Sequence, residues 1–104
     1  MTTSSLSRRL HRAAEFIDSL PDHFPAPEIG SDESGDLHVE WLPSRNSMFS
    51  VEVAEELIYA WNSNGQSGHG VVALYRADEL VPMIERVLRD GGVGLEGVPG
   101  GDGI

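Results

Sequence analysis

The stretch "SDESGD", residues 31–36, sets oxygen donors at alternate positions, Asp32, Ser34 and Asp36, as the first ligands of a calcium loop are set. Such a loop also needs glycine at its sixth position and a bidentate glutamate at its twelfth. Counted from Asp32, Gly35 stands fourth and the twelfth residue is Pro43. The calcium geometry fails, and the stretch reads as a solvated turn leading into a strand. Zinc fares no better. His38 and Glu40 would share one face of a strand, but His11 and His69 stand far off in the chain, and structural zinc needs paired ligands at short, fixed intervals. Serine occurs in no "GxSxG" elbow, there is no cysteine, and "SNGQSGHG" lacks the Lys-Ser or Lys-Thr ending of a phosphate loop. The expectation is a protein that is not an enzyme, with no catalytic residue, no metal and no cofactor.

What the acids can do is bind. The candidate partner-binding set is Glu28, Asp32, Glu33, Asp36, Glu40, Glu52, Glu55 and Glu56. They belong to a chain of 104 residues with 17 acids, seven arginines and no lysine, for a net charge of −10. Residues 1–14 invert that balance, with Arg8, Arg9 and Arg12 and no acid. A phosphate backbone would meet a repelling field over most of this surface, so direct nucleic-acid binding is not expected, whereas a basic protein or nucleoprotein complex would be attracted.

The elements that must position these acids follow from periodicity. Leu6, Leu10, Ala13, Ile17 and Leu20 recur at steps of three and four, which predicts a helix with those residues on its buried face, capped by a serine at position 4 or 5 and stopped by Pro21. "PDHFPAP" holds three prolines and predicts an extended connector. "LHVEWL" alternates Leu37, Val39 and Trp41 against His38 and Glu40, and "MFSVEV" alternates Phe49, Val51 and Val53 against Ser50 and Glu52. Both are strands, joined by "PSRNS" as a hairpin loop. "LIYAWN" makes a third strand in which Leu57, Tyr59 and Trp61 face one side and Ile58 and Ala60 the other, so both faces ask for cover. "SNGQSGHG" reads as a loop and "VVALY" as a short fourth strand or a lead-in. A last helix is expected from Asp78 to Arg89, with Leu80, Ile84, Val87 and Leu88 inward and Pro82 in the first turn.

The predicted fold is α+β: an N-terminal helix, a three- to four-stranded antiparallel meander and a C-terminal helix, with both helices on one face of the sheet. Residues 4–90 form the single domain. The glycine-rich run 91–104, with seven glycines, is expected to be a disordered tail. No stretch of 18 apolar residues occurs, and the N-terminus lacks the apolar region of a signal peptide, so the expected setting is cytoplasmic and away from the membrane.

The order of "AAEFIDSLPDHFPAPEIGSDESGDLHVEW", "FSVEV", "LIYAW", "HG" and "ELVPMIERVL" resembles a group of small acidic bacterial and phage proteins. These share a helix, a Pro-x-Pro connector, an Asp- and Gly-bearing turn and a Glu-Trp strand end. The resemblance covers roughly residues 13–89 and departs at "VEVAEEL", where a longer Asp-Gly hairpin is usual; it implies the fold and a bacterial or phage setting and carries no chemistry. By size and charge the chain is also similar to anti-CRISPR and other anti-defence inhibitors, which set carboxylates against basic nucleic-acid channels. The alternative is an antitoxin-like or homodimeric accessory protein that uses a sheet edge or an aromatic patch, with Trp41, Tyr59, Trp61 and Tyr75 as the candidate anchors.

Overall fold

The computed structural model describes residues 2–94, with side chains from residue 8 onward. Five strands, β1 (Glu28–Ser31), β2 (Leu37–Ser44), β3 (Ser47–Val53), β4 (Glu56–Ser63) and β5 (Gln66–Ala73), pair antiparallel with their chain neighbours in the order β1-β2-β3-β4-β5. The alternation in β2 and β3 works as expected: Leu37, Val39, Trp41, Phe49, Val51 and Val53 are all buried on one face, and Leu57 of β4 joins them. Helices cover that face alone. The fold is therefore α+β, a helix, an antiparallel meander and a second helix, with five strands where three or four were expected.

β1, which was not expected, and β5, which begins earlier than the expected short fourth strand, have separate physical origins. β1 is a short edge strand whose four residues are all exposed, so burial leaves no alternation in its sequence. β5 starts at Gln66, inside the segment expected to be a loop. Its glycines hid it, because glycine usually weakens a strand. Here Gly68 lies opposite Trp61 and Gly70 opposite Tyr59. A Cβ on Gly68 would come within 2.5 Å of Trp61 Nε1, and one on Gly70 within 2.6 Å of the Tyr59 hydroxyl. The two aromatic rings occupy the space above the glycines and replace the missing side chains. The preceding turn is Asn64–Gly65 with φ of 52° and 89°, the left-handed pair that a two-residue hairpin requires.

Helix α1 (Thr2–Asp18) begins before either candidate serine cap and ends where Ser19 turns back, its amide donating to the carbonyls of Glu15 and Phe16. Its buried face is the expected one in part: Ala13, Ile17 and Leu20 of the predicted stripe pack in or against the core. Ala13 and Phe16 are buried, while Leu10 is 52% exposed; the side chain of Leu6 lies outside the described residues. The face in contact runs through Arg9, Ala13, Phe16 and Leu20, which has the same helical spacing as the leucine stripe. Two things favour it: a phenyl ring buries more area than a leucine, and Arg9 finds acceptors at the turn after β1. Phe16 stands edge-on to Trp41, Trp41 to Phe49, and Phe49 stacks on Tyr59, so an aromatic line crosses the core from helix to sheet.

After β5 a 3-10 segment, Leu74–Leu80, leads into α2 (Val81–Asp90). Leu80, Ile84, Val87 and Leu88 are buried as expected, with Pro82 in the first turn, where its missing amide hydrogen costs nothing. The chain does not leave the domain at Asp90. Gly92, at φ 92°, donates to Arg89, Val93 donates to the Leu88 carbonyl at 2.9 Å, and the Val93 side chain packs on the core. The boundary expected after residue 90 thus falls a turn too early, and residues 95–104 of the expected tail lie outside the described residues.

Candidate functional site

Asp32 stands in the turn that joins β1 to β2. Asp32 Oδ1 accepts from the backbone amides of Ser34 and Asp36, at 2.9 and 3.0 Å. Its Oδ2 lies 3.1 Å from His38 Nε2. Gly35, at φ 85°, lets the chain reverse, and its amide donates to the Asp32 carbonyl. The carboxylate is thus the organiser of its own turn. The His38 hydrogen bond, followed by the amide of Asp36, holds the Asp32 carboxyl below its ordinary range. Among the described residues no group of three or more His, Cys, Asp or Glu is arranged to hold a metal ion.

Five of the eight candidate acids separate into two places. Glu28, Glu40 and Glu52 lie on neighbouring strands of the uncovered sheet face. Glu28 stands directly opposite Glu40, and Glu52 directly opposite His38. A shallow depression lined by Glu28, Gly30, Asp32, His38 and Glu40 lies over β1 and β2. Asp36 and Glu55 are elsewhere, at the end of the sheet where β2 begins and β3 finishes. Here α1 brings Arg8, Arg9 and Arg12 to line one hollow with Asp36 and Glu55. Arg9 donates to the Gly35 carbonyl at 2.8 Å and lies 3.7 Å from Asp36. The basic start of the chain thus offsets acids at this end of the sheet, and Glu28, Glu40 and Glu52 do not line that hollow. Glu33 and Glu56 are exposed, Glu33 in the turn and Glu56 at the start of β4 on the uncovered face.

The uncovered face continues as an apolar surface over β4 and β5. Ile58 is 42% exposed and stands opposite Val71, 57% exposed, with Ala60 beside them. Sequence reasoning noted that Ile58 and Ala60 asked for cover; none of the described elements supplies it. Val71 lies in the segment expected to be a short fourth strand or a lead-in, whose faces sequence reasoning did not assign. Of the four candidate anchors, Trp41 is buried, Tyr59 and Trp61 are half-buried over the glycines of β5, and Tyr75 is exposed on the 3-10 segment.

No described helix is long and apolar enough to cross a membrane. No protein-family model, curated protein or solved structure matches the chain.

Proposed function

We propose that the protein is a non-enzymatic protein-binding module, a stoichiometric inhibitor of the anti-CRISPR or anti-defence type, which sets Glu28, Glu40 and Glu52 against a basic nucleic-acid-binding surface. The observation that supports this most is the direct pairing of Glu28 with Glu40. Like charges opposite each other weaken a sheet, so the pair works against folding at this position. A cationic partner would turn that repulsion into attraction, with carboxylates standing in for phosphates. The uncovered face gives such a partner a flat approach, and the arginines of α1 sit at the end of the sheet rather than on this face.

The test is a pull-down from host lysate with the parent and with Glu28→Gln/Glu40→Gln/Glu52→Gln. The parent should retain a basic nucleic-acid-handling protein that elutes as salt is raised. The triple variant should lose it, while Glu33→Gln/Glu55→Gln keeps it. Equal capture by parent and triple variant would remove the open-face carboxylates from the function.

A further inference from the structure

The outer edge of β5 differs from the other edge of the sheet in every respect that controls strand addition. β1 is four residues long, follows Pro27 directly and begins with a glutamate. Short length, proline and charge are the usual means of blunting an edge. β5 has eight residues, "QSGHGVVA", with no proline, no lysine, no carboxylate and no break in register along β4. Among the described elements only β4 and the following 3-10 segment contact it.

The hydrogen-bonding direction of each β5 residue follows from the turn. Ser63 and Gln66 flank a two-residue left-handed turn and so form a pair that exchanges both backbone hydrogen bonds. Such pairs recur at every second residue of an antiparallel ladder. Gly68, Gly70 and Val72 are therefore bonded to β4, and the amides and carbonyls of Ser67, His69, Val71 and Ala73 point outward. The side chains of those same four residues lie on the uncovered face.

We infer that β5 is the pairing edge for a second copy of this chain, joined antiparallel about a two-fold axis to form one continuous sheet across both copies. Of the registers that match outward groups to outward groups, one engages all four residues: Ser67 opposite the second copy's Ala73, and His69 opposite its Val71. The axis then passes beside Gly70. On the uncovered face this places each Val71 next to the other copy's His69, and it joins the two exposed Ile58 and Val71 patches. On the covered face Gly70 meets Gly70, in a close pair that only residues without side chains leave open to the two Tyr59 rings.

Charge favours this occupant as well. Two chains of net charge −10 repel each other, yet β5 carries no ionised carboxylate, and Glu28 and Glu40 lie at the opposite side of the sheet. Pairing through β5 holds β1 and β2, which carry Glu28 and Glu40, as far apart in the two copies as the sheet allows. Because the remaining repulsion is screened by salt, the dimer should tighten as ionic strength rises, the reverse of the response expected for a basic partner. The inference does not depend on the inhibitor reading.

Hydrogen exchange across a concentration series, run beside sedimentation, tests it. The amides of Ser67, His69, Val71 and Ala73 should exchange freely in dilute protein and become protected as the dimer forms. Those of Gly68, Gly70 and Val72 should be protected throughout. Val71→Pro removes an outward donor and should give a monomer. The double variant His69→Glu/Val71→Glu, which changes only exposed side chains and sets carboxylates directly opposite each other along the seam, should give one too, with a circular dichroism spectrum like the parent's. A parent that sediments as a monomer at every concentration and salt, with those four amides unprotected, would overturn the proposal. So would a dimer that survives in both variants.

Discussion

The indole Nε1–H of Trp41 donates to the carbonyl of Pro25 at 2.9 Å, and this bond fastens the proline-rich connector to the second strand of the sheet. Proline residues remove backbone donors from the connector, so its carbonyls must find partners elsewhere. Trp41 supplies one from within the core, and its ring meets Phe16 on one side and Phe49 on the other.

Replacing Trp41 with Phe should therefore cost more than lost area. It removes the donor to Pro25 and leaves a smaller ring in a close-packed line. The combined loss should be about 2–4 kcal/mol, from the cavity and the unpaired acceptor together. Chemical denaturation of parent and variant measures it directly. A loss within the noise of such a measurement would mean that the connector is held by other contacts.

The placement of α1 gives a paired test. Phe16→Ala should destabilise the protein by about 3–5 kcal/mol, the range for deleting a buried aromatic side chain. Leu10→Ala, on an exposed position of the same helix, should stay within about 0.5 kcal/mol of the parent. Comparable losses for the two would put the leucine stripe, and not Phe16, against the sheet.

Acid should act on the turn between β1 and β2. Asp32 has its carboxyl held below the ordinary value by His38 and by two backbone amides, so its charged form is favoured in the folded state. The stabilising contribution is present above the ordinary carboxylate value of 3.8 and fades as pH falls through the lower folded value. Removing the imidazole with His38→Ala should raise the Asp32 titration midpoint back toward 3.8, visible by NMR. An unchanged midpoint would assign the depression to the backbone amides alone.

Much of this architecture is legible in the residues, and the failures are instructive. Strict alternation gave β2 and β3, and Leu80, Ile84, Val87 and Leu88 gave the buried face of α2. For α1 the stripe was right at Ala13, Ile17 and Leu20, but Leu10 is exposed and Phe16 takes a central place, a shift that rests on contacts across the fold, Arg9 with Gly35 and Phe16 with Trp41. The hairpin signal Asn64–Gly65 was present, yet the glycines that follow masked the first half of β5 until the rings of Tyr59 and Trp61 explained them. Among the acids, sequence spacing grouped Asp32, Glu33 and Asp36 as neighbours. Cross-strand register instead grouped Glu28 with Glu40 and brought the arginines of α1 to Asp36 and Glu55, relations that depend on pairing across the fold.

The neighbour-to-neighbour order of the five strands also bears on how the chain acquires its shape. Every strand pairing closes only a short loop, so the entropy lost in forming each hairpin is small and the sheet is able to assemble progressively from any of its turns. The Asn64–Gly65 turn, already biased to the required dihedrals, is the natural place to begin. Helix α1 is different. It is synthesised before the strands, but Ala13 and Phe16 have no core to enter until β2 and β3 have paired, so it is expected to dock after the sheet that follows it has formed.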